Sequence, residues 1–336
     1  MRALELFSGG GGAALGIRAA GCVGYGVEWD AEAVATSTAA GLTIEQADIR
    51  EWSGNDWRAK HGSPWLLWAS PPCQAFSQAG QRKGAADERN GWPWTLRIVD
   101  EVQPRWVVCE NVVGLTQHSA ESCGDVLTCP GCYWIREVVP AFAERFPSVS
   151  VWKLNAANYG VPQTRWRIFL IAGPTAPRPP RQTHAEPAAC VSLFGDLLPW
   201  VTMGEALKLD GEGVVMADGG RNSEANPTQE RARGSAEPAP TVSGGGNLIL
   251  RPSPCVVATE SKGRSAVSTK LNRASDALYL ATGRRRLTVA ECAALQGFPA
   301  DHPWQGTKVA QYRQVGNAVP PIVAQRITEA LQAADR

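Results

Sequence analysis

The sequence predicts an α/β fold with a smaller, loop-rich second domain, and three observations lead to this class. The first 173 residues alternate short apolar runs with Ala-rich stretches. That rhythm is typical of βαβα units, which build a mostly parallel sheet covered by helices on both faces. The texture changes at Pro174, where a Pro-rich segment begins. The residues beyond it are rich in Gly, Asn, Ser and Pro, which favours loops.

The predicted elements follow this rhythm along the chain. We expect strands at 4–7, 25–28, 65–69, 106–109, 149–154 and 167–172, with helices at 13–20 and 31–40. The last two strands are joined by a short connection and are expected to pair antiparallel at an edge of the sheet. Farther along, short β-like runs occur at 247–250 and 255–258, followed by predicted helices at 288–296 and 320–333.

The composition excludes several classes of protein. The 336 residues are 44% hydrophobic and 19% charged, unlike a disordered or collagen-like chain. No run of eighteen apolar residues occurs and the chain enters a strand at once, so we expect no membrane span, no signal peptide and a cytoplasmic, nucleoid-associated location. Nine cysteines in that compartment are expected to be reduced thiols.

Charge is distributed unevenly along the chain. The net charge is +1, but residues 231–286 alone carry +7 and the remainder carries −6. A basic surface on a mildly acidic body is typical of a module that binds a polyanion. An ordinary solvated loop face is the alternative interpretation of the same charges.

A glycine-rich turn, residues 7–12, follows the first strand and opens a helix, so its backbone N–H groups can face a ligand. Gly9, Gly11 and Ala14 match the pattern G-x-G-x-x-A, and Glu28 lies at the end of the next strand. This pattern predicts either a dinucleotide or another adenosine ligand. Glu28 is placed to accept hydrogen bonds from ribose hydroxyls, unless it is simply an exposed carboxylate, and Trp29 is placed to stack on an adenine.

Further reactive side chains follow three later strands. Cys73 comes after two prolines at the carboxyl end of a strand, so it is either a thiolate nucleophile on a stiff loop or an inert buried thiol. Glu110 leaves the next strand and is a candidate general acid. Arg165 and Arg167 alternate onto one face, where they could hold a phosphate, a base oxygen or Glu110.

Taken together, these motifs resemble those of the cytosine-C5 DNA methyltransferases, which depend on S-adenosylmethionine. The matches run in the family's order over nearly the whole chain. They are F-x-G-x-G-G at 7–12, E-W at 28–29, D-I at 48–49, P-C-Q at 72–74, E-N-V at 110–112, Q-x-R-x-R at 163–167, a segment at 287–299 and G-N-A-V at 316–319. The resemblance implies a Rossmann-like methyltransferase sheet with a smaller target-recognition domain.

The resemblance also implies roles for individual residues. Cys73 would add to C6 of a flipped-out cytosine, Glu110 would stabilise charge at N3, and Arg165 and Arg167 would help to clasp the base. The residues that would border the cofactor are Phe7, Gly9, Gly11, Gly12, Glu28, Trp29, Asp48, Ile49, Pro71, Asn317 and Val319.

By the same resemblance, residues 1–175 plus 305–336 would form the catalytic domain and residues 176–304 the target-recognition domain. The basic stretch falls inside the second of these. Double-stranded DNA would be the partner of a monomeric enzyme, with a restriction enzyme as a further partner. The candidates for DNA contact are Arg221, Asn222, Arg251, Lys270, Arg273, Arg284, Arg285 and Arg286.

One segment departs from the family's core pattern. His118, Cys123, Cys129 and Cys132 lie between the E-N-V and Q-x-R-x-R motifs. Three thiolates and an imidazole would complete a tetrahedral structural zinc site, and C-P-G-C has the form of a zinc knuckle. A redox-sensitive or merely reduced set of thiols is the alternative.

Three other functions compete with the DNA methyltransferase. A transfer-RNA cytosine-C5 methyltransferase would share the fold and the chemistry, but the sizeable basic second domain disfavours it. A catalytically silent DNA-binding protein would lack a thiol or carboxylate at the active positions, and both are present in Cys73 and Glu110. A nicotinamide-dependent oxidoreductase would leave the last motifs without a role.

Overall fold

A computed structural model describes most of the chain. The residues that it describes are 1–72, 90–118, 123–126, 128–186, 197–208, 213–217, 232–234, 236–239, 241–242, 248–252 and 285–336. The predicted strand at 255–258 lies outside these residues, as does Cys73.

The first part of the chain forms a seven-stranded sheet. Its strands are β1 (Arg2–Leu6), β2 (Val23–Glu28), β3 (Ile44–Gln46), β4 (Leu66–Ala69), β5 (Trp106–Val112), β6 (Ser148–Asn155) and β7 (Trp166–Gly173). Their order across the sheet is β3-β2-β1-β4-β5-β7-β6. The first five run parallel, whereas β7 pairs antiparallel with both β5 and β6, with β6 at the edge. The predicted α/β class and the antiparallel edge pair are confirmed.

Ten α-helices lie among the described residues, and several of them cover the two faces of the large sheet. They are α1 (Gly12–Ala19), α2 (Ala31–Ala39), α3 (Gly54–His61), α4 (Trp92–Val102), α5 (Pro130–Tyr133), α6 (Val139–Ala143), α7 (Met203–Leu207), α8 (Val289–Leu295), α9 (Lys308–Asn317) and α10 (Pro321–Ala334), with a π-helical turn at Trp134–Val138 and 3-10 turns at Val113–Thr116 and Ala156–Tyr159. Helices α1, α2, α8 and α10 confirm predictions to within about a residue at each end. Helices α3, α4 and α9 were not predicted from the rhythm of apolar runs.

The alternation of side chains along the strands divides the core between the two faces. In β4, Leu67 and Ala69 belong to one buried cluster, and Leu66 and Trp68 belong to the other. All four are fully buried, as expected for a parallel strand covered on both sides. The carboxyl ends of the parallel strands therefore remain as the edge at which polar side chains can meet a ligand.

The C-terminal helix α10 packs directly on α1 through a glycine. A Cβ atom at Gly16 would overlap the Pro321 carbonyl oxygen and come within 2.7 Å of the Gln325 amide nitrogen. Close approach of two helices needs a residue without a side chain at the contact. The first and last helices of the chain are thus joined in one layer.

A smaller second sheet is antiparallel. Its strands are β10 (Gly213–Ala217), β11 (Ala232–Gly234), β12 (Leu248–Pro252) and β13 (Arg285–Arg286), in the order β11-β10-β12-β13. A short parallel pair, β8 (His184–Ala185) and β9 (Leu198–Pro199), precedes it. Among the described residues, no helix has the length and apolar character needed to cross a membrane.

We predict that Gly16→Ala destabilises the protein. The new methyl group would meet backbone atoms of α10 that cannot move independently, so we expect a loss of about 1–3 kcal/mol in the free energy of unfolding. Urea unfolding would measure this loss. Gly24→Ala is the control, because a Cβ there meets no atom within 4 Å; equal effects of the two substitutions would contradict the packing argument.

Candidate active site

The turn after β1 has the left-handed backbone that a glycine-rich sequence allows. Phe7, Gly9 and Gly11 have φ values of 58°, 56° and 88°. Gly tolerates this conformation, whereas Phe7 adopts it at a cost that is characteristic of functional turns. A Cβ at Gly9 would meet no atom within 4 Å, so space for a ligand is open beside it.

Contacts from distant parts of the chain hold this turn in place. The Ser37 hydroxyl of α2 donates to the Gly9 carbonyl at 3.0 Å, and His302 Nε2 lies 3.1 Å from the Gly10 carbonyl oxygen. Gly12 admits no side chain, because a Cβ there would overlap the Val319 carbonyl oxygen. The turn is therefore fixed by α2 and by the residues that flank α9.

Glu28, at the end of β2, accepts a hydrogen bond from the glycine-rich turn. The Gly9 amide donates to its Oε2 at 2.8 Å, and the amides of Trp29 and Asp30 donate to its Oε1 at 3.0 and 2.9 Å. Burial raises the pKa of Glu28, and these amides oppose the rise. Its Oε2 keeps a lone pair for a further donor. The ring of Trp29 beside it is 70% exposed, which leaves a face open for stacking.

The remaining cofactor candidates lie around the same edge. Asp48 accepts from Arg50 Nε at 3.0 Å, and this contact holds the pKa of Asp48 below its usual value. Ile49 packs against the core, and its carbonyl accepts from Arg97 at 2.6 Å. Asn317 is exposed at the end of α9, close in sequence to Val319, which faces Gly12.

The acidic side chain of β5 meets an arginine. Glu110 Oε1 lies 3.0 Å from Arg167 Nε, and Glu110 is only 7% exposed. Burial is the largest influence and raises the pKa of Glu110, while the guanidinium groups of Arg167 and Arg165 oppose it. The next residue, Asn111, donates to the Pro71 carbonyl at 3.1 Å. The E-N-V motif therefore meets the start of the segment that carries Cys73.

Arg165 and Arg167 have different environments, although they share a motif. Arg165 is 2% exposed and donates to the Val242 carbonyl at 3.0 Å and to the Gly316 carbonyl at 2.9 Å. These contacts join β7 to the second part of the chain and to α9. The structure thus brings Arg167 directly to Glu110, and it places Arg165 between three separate segments.

Gln163 is a further residue of the site that the sequence analysis did not single out. Its Nε2 donates to Gln296 Oε1 at 2.6 Å and to the Leu295 carbonyl at 3.2 Å, and its Oε1 accepts from the Val242 amide at 3.0 Å. Amide side chains do not titrate, so a search for reactive groups passes over them. Its position at the start of Q-x-R-x-R was the signal that could have identified it.

Glu5 was also missed. It faces inward from β1, where the Ser8 hydroxyl donates to its Oε2 at 2.9 Å. Burial raises the pKa of Glu5 to about 8, opposed by Ser8 and reinforced by the nearby charge of Glu28. A charged residue within the buried run 3–6 was the available signal. The carboxyl group lies at the base of the glycine-rich turn and is neutral at moderately acid pH.

The four predicted metal ligands form a compact cluster. His118 Nδ1 lies 3.6 Å from Cys123 Sγ, 3.8 Å from Cys129 Sγ and 3.5 Å from Cys132 Sγ. All four ligand atoms lie within 4.8 Å of one another. With Zn–S bonds of about 2.3 Å and Zn–N bonds of about 2.0–2.1 Å, a tetrahedral site separates sulfur from nitrogen by about 3.6 Å. The three distances between sulfur and nitrogen therefore fit tetrahedral coordination of a zinc ion.

The candidates for DNA contact lie partly beyond the described residues. Arg221, Asn222, Lys270, Arg273 and Arg284 fall outside them. Arg251 lies on β12, and Arg285 and Arg286 form β13, which pairs with β12 in the small sheet. The three described candidates are thus neighbours on two paired strands.

We predict that protonation of Glu5 makes stability depend on pH. Its folded-state pKa of about 8 exceeds the ordinary value of 4.5, so the folded state keeps a proton that the unfolded chain loses. Stability is then lost as pH rises between about 5 and 8. Urea unfolding across this range should show a weaker decline for Glu5→Gln than for the original chain, whereas the exposed Glu51→Gln should leave the slope unchanged; an unaltered slope in Glu5→Gln would contradict the assignment.

Comparison with known proteins identifies the class to which this arrangement belongs. The chain matches the family described as C-5 cytosine-specific DNA methylase over residues 1–187 and 216–333. It is 30% identical over 331 residues to the Type II methyltransferase M.AplI of Arthrospira platensis, covering 98% of this chain and 85% of that protein. It is 31% identical over 355 residues to M1.HphI of Haemophilus parahaemolyticus, covering 98% and 86%.

A solved structure supports the fold. The methyltransferase EhMeth of Entamoeba histolytica superposes with a TM-score of 0.65 at 14% identity, covering 100% of this chain and 99% of that one. The predicted Rossmann-like methyltransferase sheet is confirmed. The family match and the Type II methyltransferase relatives favour the DNA methyltransferase over the nicotinamide-dependent, silent-binder and transfer-RNA alternatives. The chain belongs to the C-5 cytosine-specific DNA methylases and is an S-adenosylmethionine-dependent DNA cytosine-C5 methyltransferase.

Proposed function

We propose that Cys73 and Glu110 carry the methyl-transfer reaction at the carboxyl edge of the large sheet. The observation that supports this most strongly is the buried Glu110–Arg167 pair at 3.0 Å, next to Asn111, which donates to the Pro71 carbonyl. Asn111 therefore holds Pro71, two residues before Cys73, against the E-N-V motif. A nucleophile and an acid would thus come from adjacent parallel strands.

The chemistry requires both groups. C5 of cytosine becomes nucleophilic once the Cys73 thiolate adds to C6, and a protonated Glu110 donates to N3 as charge develops there. S-adenosylmethionine supplies the electrophilic methyl group. Loss of the C5 proton and elimination of Cys73 then give 5-methylcytosine and regenerate the thiolate. Because burial raises the pKa of Glu110, its protonated form is available nearer to neutral pH than that of an ordinary carboxyl.

The two arginines of the Q-x-R-x-R motif divide the remaining work. Arg167 lies beside Glu110, so it orients the carboxyl group and is placed to reach the flipped base. Arg165 is a positioning residue, since its donors are directed at the Val242 and Gly316 carbonyls.

The cofactor would lie over the glycine-rich turn. Glu28 Oε2 is placed to accept from a ribose hydroxyl, and the exposed ring of Trp29 is placed to stack on the adenine. Open space beside Gly9 fits the close approach of such a ligand. The other residues assigned to this site are Phe7, Gly11, Gly12, Asp48, Ile49, Pro71, Asn317 and Val319.

Residues 1–175 plus 305–336 would form the catalytic domain and residues 176–304 the target-recognition domain. The charge of +7 in residues 231–286 supports a role for the second domain in binding DNA. The relatives are named Type II methyltransferases. We therefore expect the protein to methylate duplex DNA as part of a system that also includes a restriction enzyme. We expect it to act as a monomer.

The cluster of His118, Cys123, Cys129 and Cys132 is proposed to bind one structural zinc ion. Four protein ligands with tetrahedral spacing leave no open coordination position for substrate, so the ion would stabilise structure and take no part in methyl transfer.

We predict that Cys73→Ala abolishes methylation and leaves cofactor affinity near normal, because the thiol forms the covalent bond and lies outside the glycine-rich turn. Nucleoside mass spectrometry of duplex DNA incubated with the protein and S-adenosylmethionine would detect 5-methylcytosine. Cys22→Ala is the matched control, since Cys22 is a buried thiol next to the start of β2, at the opposite edge of the sheet. Methylation retained by Cys73→Ala would refute the nucleophile.

We predict one zinc ion per chain in protein washed with a weak chelator. Mass-spectrometric metal analysis would count it, and Cys123→Ser should lose it because one of four ligands is removed. Cys22→Ser controls for the loss of a thiol elsewhere. A merely trace amount of zinc in the original protein would end the metal proposal.

A further inference from the structure

The metal cluster is connected to the active-site edge through the residue that follows its last ligand. Tyr133 adjoins Cys132, and its hydroxyl accepts from Asn90 Nδ2 at 3.0 Å. The Asn90 Oδ1 accepts in turn from the Trp92 amide at 3.3 Å, at the start of α4. Both Asn90 and Tyr133 are buried, so this hydrogen bond is shielded from competing water.

Asn90 belongs to a segment that lies against the cofactor turn and the start of the Cys73 segment. A Cβ at Gly91 would come within 2.9 Å of both Pro71 and Pro72, and within 3.1 Å of the Phe7 ring. Gly91 therefore lies closely against the two prolines that precede Cys73. Asn90 adjoins Gly91, so its position affects the chain before the nucleophile through that glycine.

The cluster also holds the segment that follows Glu110. The Gly131 amide donates to the Gln117 carbonyl at 3.0 Å, and the Gly124 amide donates to Cys132 Sγ at 3.1 Å. The ring of Trp134 packs edge-on against Trp92, with centroids 5.7 Å apart. One compact unit thus joins the chain after β5 to the start of α4.

We propose that the cluster is a metal-dependent brace for the active site, which sets the position of the Pro71–Pro72 segment through the hydrogen bond between Tyr133 and Asn90. This inference rests on the proposed zinc site. Two of the four ligands, His118 and Cys123, are exposed, and residues 118–126 contain few large apolar side chains. A bound ion would tie these two ligands to the buried Cys129 and Cys132.

If the cluster acts as a brace, loss of the hydrogen bond between Tyr133 and Asn90 should slow methylation even when zinc stays bound. A metal that only stabilises the fold would not have this effect. Tyr133→Phe removes the hydroxyl acceptor and keeps the ring, so zinc content and S-adenosylmethionine affinity should stay normal. The single-turnover rate of DNA methylation should fall about fivefold, as expected for one buried hydrogen bond that acts on the alignment of reacting groups. Tyr159→Phe is the matched control, because it removes a buried hydroxyl that donates to the Pro180 carbonyl instead.

A double-mutant cycle separates the brace from independent effects. His118→Ala should lose zinc and slow single turnover at least as much as Tyr133→Phe. If the ion acts through Tyr133, the double variant should be no slower than His118→Ala alone. Rates that fall multiplicatively, or a Tyr133→Phe variant with the full rate, would overturn the brace.

The three proposals fail in different ways in this experiment. Absence of zinc from the original protein overturns the metal site, and with it the brace, whatever the rate of methylation. Absence of 5-methylcytosine with the original protein overturns the assigned reaction, whatever the zinc content. Zinc-free His118→Ala protein that methylates at the full rate overturns the brace and leaves both the metal site and the reaction standing.

Discussion

The buried guanidinium group of Arg165 is the contact on which the arrangement of the site depends. It donates to the carbonyls of Val242 and Gly316, which are 77 and 151 residues away along the chain. Burying an arginine is costly unless its donors are satisfied, so these carbonyls are held where the guanidinium requires them. Gln163 adds a second set of bonds, to Leu295, Gln296 and Val242, so the residues just before β7 become the common support of three distant segments.

Buried carboxyl groups also need partners, and the carboxyl edge of the sheet holds several acids because each of them has one. Glu28 accepts from backbone amides, Glu110 pairs with an arginine, and Glu5 accepts from the Ser8 hydroxyl. These partners differ in charge, and the three carboxyl groups therefore differ in how strongly their ionised forms are supported. Such a gradation suits a site that must bind a ribose at one point and supply a proton at another.

The cluster of His118, Cys123, Cys129 and Cys132 would constrain the chain around the site in a second way, by coordinating a metal ion. The chain between β5 and β6 contributes Leu115, Tyr133, Trp134, Val138 and Phe142 to the main buried cluster, and Tyr133 contacts Asn90 at the base of the site. Coordination by four side chains would fix the exposed part of this chain, around His118 and Cys123, without requiring more buried surface. Reactive side chains would thus have two roles in this protein: some would carry out the reaction, and others would hold the chain around the active site in place.

Sequence patterns alone predicted six of the seven strands of the large sheet and the order of the motifs, and they proposed which groups react. These follow from local patterns: alternating apolar runs, glycines in a turn, and charged residues at strand ends. The second part of the chain and the helices α3 and α9 were less predictable, because their apolar residues lack a strong helical spacing. Helix α4 was missed although its buried residues Trp92, Thr95, Ile98, Val99 and Val102 do recur at that spacing. Only the tertiary structure decided that Arg167 meets Glu110 while Arg165 meets backbone carbonyls, and that Tyr133 reaches Asn90. Strand alternation tells which face a side chain occupies, but the partner on that face arrives from a distant part of the chain, and its position depends on the packing of the whole molecule.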